Sequence, residues 1–233
     1  LSTHRPSERG RWETGYGEIP DADWCWFSEP SVMVSPGDVA HAYLHIRVPE
    51  EDRYYNQHWI ATLSVTGKPG GGGIALAVDV RVQIETKSMA GIAERPYGAL
   101  AVAPATVVFA KAFAGTPEEA RVTLFNNDDC AHEYSFSSLF ENSEIDARVY
   151  QTQSWTRIPD TRWIETPRTV RLDGGTSKAL SLTLEIPKGA PTVDAWEDLI
   201  LIRSDGDASG FIRVRVPGRP QADADSDREE QEG

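Results

Sequence analysis

Apolar and polar side chains alternate with a period of two along much of this chain, the spacing of strands that bury one face and wet the other. Ala40, Ala42, Leu44, Ile46 and Val48 share one face, while His41, Tyr43, His45 and Arg47 take the other. The pattern returns at Trp59, Ala61, Leu63 and Val65, and again at Ile74, Leu76, Val78, Val80, Val82 and Ile84, where Asp79, Arg81, Gln83 and Glu85 face outward. Further strands are predicted over 120–125, 134–139, 145–150, 170–172, 180–186, 199–202 and 211–216. No long segment keeps a helical period. Turn chemistry separates the runs, at Ser35-Pro36-Gly37-Asp38, over 67–73, over 126–129, at Asp173-Gly174-Gly175 and over 204–210. Many short strands at this spacing predict an all-β, antiparallel sandwich architecture rather than α/β.

The two halves of the chain carry the same landmarks in the same order. Trp26 and Pro30 match Trp163 and Pro167 at an offset of 137 (163 − 26 and 167 − 30). The turn at Gly37 matches Gly175, and Leu44-x-Ile46-x-Val48-Pro49 matches Leu182-x-Leu184-x-Ile186-Pro187 at 138 (182 − 44). Trp59 matches Trp196 at 137 (196 − 59). Two copies of one fold follow, with a polar N-terminal segment over 1–23, a first repeat over 24–87, a linker over 88–98, a second repeat over 99–218 and a disordered acidic tail over 219–233.

The copies are unequal. The second has 63 residues from Leu100 to Trp163 (163 − 100) for its early strands, whereas 25 residues precede Trp26. The first repeat is therefore expected to lack its opening strands. Its clearest strands still present Leu44, Ile46, Val48, Trp59, Leu63, Val65, Val78, Val80, Val82 and Ile84 to one side. At roughly 1.5–3 kcal/mol for each buried side chain, a wet face would forfeit on the order of 20 kcal/mol. Three coverings are open: a preceding segment of the precursor, a short sandwich completed by residues 1–23, or a strand from a protein partner that pairs along an open sheet edge.

A length of 233 residues suits two domains. The balance of 36 acidic against 23 basic residues, a net charge of -13, repels phosphate backbones and anionic lipid, so no nucleic-acid partner is expected. Membrane insertion is not expected either, because the strongest apolar run, over 74–80, is interrupted by Asp79 and falls short of the roughly 20 residues a spanning helix needs. The chain opens at Leu1, so a signal peptide is not observable. Cys25 and Cys130 are too few for a disulfide scaffold or a paired zinc motif and fall in different repeats, which predicts two buried free thiols.

Each motif that suggests chemistry has a plainer reading. The stretch Gly67-Lys68-Pro69-Gly70-Gly71-Gly72-Gly73 lacks the Gly-Lys-Ser/Thr ending and the helix of a phosphate loop, and reads as a hairpin loop. His41 and His45 would stand roughly 13 Å apart on an extended strand, too far to share an ion. Asp128, Asp129, Cys130 and His132 have the side-chain types of a metal site but read as a hairpin turn after Asn126-Asn127, so no metal is expected. The sequence has no Gly-x-Ser-x-Gly elbow, and the paired carboxylates at Glu50-Glu51-Asp52 and Glu118-Glu119 fall in loops. No catalytic residue and no cofactor is expected. Among aromatic residues outside the alternation, Trp12, Tyr16, Tyr54, Tyr55 and Trp155, the candidates for partner binding are Tyr54, Tyr55 and Trp155, with Tyr54-Tyr55 as the exposed pair. Trp26, Trp59, Trp163 and Trp196 recur between copies and are expected in the cores.

The second copy, with Leu100-Ala-Val-Ala-Pro-Ala-Thr-Val-Val-Phe109, Ala120-Arg-Val-Thr-Leu-Phe-Asn-Asn127 and Gly210-Phe-Ile-Arg-Val-Arg-Val216, resembles the pilus-chaperone-like and related immunoglobulin-like modules of bacterial secreted proteins. The resemblance implies two antiparallel immunoglobulin-like β-sandwiches and an extracytoplasmic module, periplasmic or secreted, that binds protein or serves as structure. A pilus chaperone would also carry a basic cleft for a subunit's carboxylate, and no such residues are identified here. The expected function is a non-catalytic structural or protein-binding module of a bacterial surface or periplasmic protein, acting through sheet edges and loops. The alternatives are a chaperone-like assembly factor and a carbohydrate-binding accessory module.

Overall fold

The computed structural model describes residues 1–10, 12–68, 75–142, 145–190 and 195–218. Most of the glycine-rich stretch predicted as a hairpin loop and the acidic tail over 219–233 lie outside the described residues.

The first repeat is built around one long strand. Strand β1 (Ser2–His4) leads into a single helical turn, α1 (Pro6–Arg9), and then into β2 (Gly17–Glu18), β3 (Cys25–Phe27), β4 (Leu44–Ile46), β5 (His58–Gly67) and β6 (Leu76–Glu85). Strand β6 pairs antiparallel with β5 along its whole length. The opposite edge of β5 takes β1 antiparallel at Thr62–Ser64 and β2 parallel at Trp59–Ile60. Strands β3 and β4 form a separate antiparallel pair.

The second repeat contains β7 (Leu100–Ala103), β8 (Thr106–Val108), β9 (Glu118–Asn126), β10 (His132–Ser138), β11 (Thr156–Arg157), β12 (Ile164–Glu165), β13 (Thr169–Leu172), β14 (Ser177–Leu184), β15 (Trp196–Ser204) and β16 (Ser209–Val216). One sheet runs β13-β10-β15-β16-β8 with β11 beside β15, and the other runs β12-β14-β9-β7. Alternate residues of the facing strands, among them Val122, Leu124, Leu180, Leu182 and Leu184 against Phe136, Ile200, Ile202, Ile212 and Val214, fill the space between the sheets. The protein is all-β, and its sheets are antiparallel apart from the pairs β2–β5, β11–β15 and β8–β16. The second repeat is a two-sheet sandwich of the immunoglobulin-like kind.

The strand pairings of the two halves match, in a register shifted from the one their tryptophans predict. The neighbours of β5 are β1, β2 and β6, and those of β15 are β10, β11 and β16, with the same strand directions in each case. The small pair β3–β4 corresponds to β12–β14. Trp163 is matched by Trp24 and not by Trp26. In both copies an aspartate, Asp21 or Asp160, caps a 3-10 turn by accepting the backbone N–H two residues on. The tryptophan ending that turn, Trp24 or Trp163, offers its carbonyl to Arg47 or Glu185. The underlying motif, Ile-Pro-Asp-x-x-Trp at Ile19–Trp24 and Ile158–Trp163, keeps one offset of 139 (158 − 19). Trp26 therefore leaves the core, 44% exposed with its ring stacked on His45.

Two other strand expectations change. The alternating run over 40–48 is strand only at Leu44–Ile46. The segment 145–150 is not a strand: the Asp146 carboxylate accepts the Arg148 N–H, and the Val149 N–H bonds the Asp146 carbonyl. This local turn satisfies the backbone that a ladder would otherwise need.

Candidate binding face

Six of the ten strands of the second repeat have counterparts in the first, and the four that do not define the site. In the second repeat β8 lies along the free edge of β16, β9 pairs with β14 from Glu118 to Phe125, β7 extends that sheet, and β13 flanks β10. In the first repeat, among the described residues, nothing pairs with the outer edge of β6 or with the edge of β4 opposite β3.

Uncovered edges leave an uncovered face. Cross-strand pairs on the inner face of β5 and β6 run Trp59–Ile84, Ala61–Val82, Leu63–Val80 and Val65–Val78. At the first end, Trp59 and Ile84 pack with Ile19, Cys25, Tyr54 and Ala61 in a small core, joined by Trp24, Leu44, Val48 and Val82. Burial then fails along the strand: Ile84 is 8% exposed, Val80 47%, Val78 58% and Leu76 72%. Val65 and Ile46 are also exposed. The equivalents of Val80 and Val82 in the second repeat are Ile212 and Val214, both essentially sealed by the opposite sheet. Ile19, Trp24 and Cys25 thus help close one end of the first repeat, and among the described residues the other end is a contiguous apolar strip beside two unpaired backbone edges, the arrangement into which extended chains add.

The other side of β5 joins the repeats. Tyr16 and Ile60 pack with Leu139, Phe140, Tyr150, Leu199, Leu201 and Phe211, and the His58 ring stacks on Phe211 at 3.8 Å between centroids. Arg213, 2% exposed, is the hub of a buried ion network. Its guanidinium bonds both carboxylate oxygens of Glu85 from the first repeat, meets Glu197 at 2.8 Å and donates to the Tyr150 carbonyl at 3.2 Å. Glu197, with a side chain 0% exposed, is also held by Arg215 at 3.1 Å. Burial pulls the Glu85 carboxyl upward, but the bond from Arg213, aided by His58 and the Tyr16 hydroxyl, holds it below the usual range. A cleft of about 570 Å³ runs beside this junction, flanked by the exposed rings of Trp12 and Tyr97.

Burial beside Phe211 lowers the His58 pKa to about 4, assisted by Arg213 and opposed by Glu85. The folded value lies below the unfolded 6.5, so His58 adds stability above pH 6.5 that is lost as pH falls through 4. His58→Gln is expected to remove about 2–3 kcal/mol of the acid-induced loss between those pH values. Denaturant titrations of both proteins at pH 7 and pH 4 measure this, and equal pH slopes would refute it.

The residues singled out in the sequence fall in different places. Tyr54 is not exposed: it is 8% accessible, packed edge-on to Trp24 and Trp59 with the Arg53 guanidinium over its ring. Its position at the end of the 3-10 turn Asp52–Tyr54 aims it into the first core. Tyr55 and Trp155 are half-buried, and Trp155 lies under Arg215 at 5.0 Å. Tyr54, Tyr55 and Trp155 are not brought together, and none lines the cleft. Both cysteines are free, and Cys130 is exposed rather than buried because it sits in the β9–β10 loop. The open face was legible as an excess of apolar side chains, whereas Trp12, Tyr97 and the Arg213 hub had no signal beyond residue type.

No protein-family model matches the chain, and no curated protein matches its sequence. Solved structures similar to it include the ASH/PapD-like domain 7 of human CEP192, with 11% identity and a TM-score of 0.37 over 52% of this chain and 85% of that one. The E. coli chaperone DraB is 19% identical with a TM-score of 0.35, over 54% of this chain and 60% of its own. The Pseudomonas aeruginosa CupB2 chaperone is 13% identical with a TM-score of 0.34, over 53% and 56%. The chain thus spans less than two thirds of either chaperone. No helix among the described residues is long and apolar enough to cross a membrane.

Proposed function

We propose that this protein is a non-catalytic protein-binding module whose first repeat accepts an extended segment of another protein chain, alternately apolar and polar. The observation that carries the reading is the contrast between equivalent strands: β16 is edged by β8 and covered by β9 and β14, while among the described residues β6 has no partner on its outer edge and an inner face whose exposure rises from Ile84 to Leu76. The second repeat supplies the template for the occupant. A segment in the place of β8 would run parallel to β6 beside Arg81, Val82 and Gln83, and one in the place of β9 would run antiparallel to β4. Main-chain bonds along those edges give affinity, and apolar side chains against Val65, Val78 and Val80 give register.

A synthetic peptide spanning residues 100–126, the part of the chain that performs this task in the second repeat, is the probe. Added to the full chain at about 100 times its Kd, it is expected to stabilise by about 2.7 kcal/mol. A thermal shift of roughly 5–10 °C should follow. Val80→Lys should abolish the shift. Absence of any shift, or self-association of the free chain through this face in sedimentation, would overturn the reading, the second by making another copy the occupant.

A further inference from the structure

The loop between β9 and β10 carries a constellation that neither the open face nor the inter-repeat junction uses. Asp128, Cys130 and His132 each offer one donor atom, and all three atoms lie within 4.8 Å of one another. His132 Nε2 lies 3.0 Å from Asp128 Oδ2 and 3.5 Å from Cys130 Sγ. For a tetrahedral zinc ion with bonds of about 2.3 Å to sulfur and about 2.0–2.1 Å to nitrogen and oxygen, the nitrogen–sulfur edge is about 3.5 Å and the nitrogen–oxygen edge about 3.3 Å. The nitrogen–sulfur and nitrogen–oxygen pairs already stand close to those edges.

Two features hold them there. Asp205 Oδ1 takes the other ring nitrogen, Nδ1, at 2.8 Å, which fixes the imidazole plane and leaves Nε2 to face the Asp128 carboxylate and the thiol. A carboxylate behind a histidine in this way is the usual support of a metal ligand. The loop backbone is fastened by Asn126, which is 0% exposed: its amide donates to the Cys130 carbonyl at 2.8 Å, and its carbonyl oxygen accepts the Asp128 N–H at 3.1 Å. The Gly175 N–H bonds the Asp128 carbonyl at 2.9 Å. Cβ on the neighbouring Gly174 would meet the Asp129 carbonyl at 2.3 Å, so the β13–β14 turn is fitted against this loop. An aspartate pair around a histidine is a common surface ion network. A thiol within hydrogen-bond reach of the same nitrogen, at 3.5 Å, completes a sulfur, nitrogen and oxygen donor set.

We propose that Asp128, Cys130 and His132 form a site for a borderline divalent cation, zinc in the first instance, with the fourth position left to water or an external ligand. Binding would release the Cys130 thiol proton and free His132 Nε2 of any proton shared with Asp128. The sequence reading of this segment as a hairpin turn is corrected: β9 and β10 belong to different sheets, so the segment is a loop crossing between them, and its side chains converge.

Titration of the reduced full chain with cobalt(II) tests this, because a thiolate ligand gives a charge-transfer band in the near ultraviolet. One equivalent should produce the band, and zinc should displace it. Cys130→Ser and His132→Gln should abolish it, and Asp205→Asn should weaken affinity about 10–100-fold with the band retained at saturation. Circular dichroism of each variant reports whether the sandwich is intact. Failure to develop a band at millimolar cobalt, or a band that survives Cys130→Ser, would overturn the proposal.

Discussion

Arg213→Met is expected to destabilise the protein by about 3–5 kcal/mol, because it removes a cation from the sealed Glu197 carboxylate, which cannot regain water, and from Glu85, whose side chain is 31% exposed. Glu197 has a side chain 0% exposed, and Glu85, from the other repeat, would lose both of its bonds to the guanidinium. Arg215 still reaches Glu197, which keeps the loss within that range. For a chain of this size the melting temperature should fall by roughly 6–20 °C. The network also joins the repeats, so the variant should separate their unfolding into two transitions in calorimetry. Arg213→Lys should rescue little, since an ammonium cannot bond Glu85 in bidentate fashion while meeting Glu197. A loss under 1 kcal/mol would show that the network contributes no net stability.

The second large effect is a contrast between two equivalent positions. Ile212→Lys places an ammonium between the sheets of the second repeat, where the native side chain is 0% exposed, and is expected to cost about 4 kcal/mol or more. Val80→Lys makes the same change at the matching site of the first repeat, where 47% of the residue is already wet. It should alter stability by no more than about 0.5 kcal/mol. Denaturant midpoints of the two variants give the comparison directly. A loss at Val80 as large as that at Ile212 would mean that the strip is covered in the free protein.

Strands were legible wherever alternation was backed by burial on one side. Residues 58–67, 76–85, 118–126 and 209–216 are strands because their apolar sets face a core or, in β6, the place where one is unfinished. Alternation misled at 145–150, where Ile145 and Tyr150 pack at the inter-repeat junction while Asp146 ties the backbone into a turn. The paired tryptophans pointed to the strands whose pairing matches between the two halves, but Trp26 took the place of Trp24 because spacing alone cannot tell which of two nearby rings faces inward. Capping aspartates Asp21 and Asp160 settle it, and the motif that contains them lies in the stretch that reads as polar turn. Tyr54 looked exposed for the same reason: its polar neighbours at 50–53 hide a ring turned into the first core. Chemistry assembled across distant segments was not legible, since Glu85 meets Arg213, and Asp205 meets His132, only after the sheets form.

The open edge of the first repeat can be read at one amide. In the second repeat the Arg213 N–H points away from β15 and bonds the Ala105 carbonyl beside β8 at 2.9 Å, and Arg81 occupies the equivalent place on β6. Hydrogen exchange on the free full chain should find the Arg213 amide strongly protected and the Arg81 amide exchanging near the rate of an unstructured peptide, with protection at Arg81 appearing when the peptide of residues 100–126 is added. Equal protection of the two amides in the free protein would contradict the account, because the edge of β6 would then already be filled.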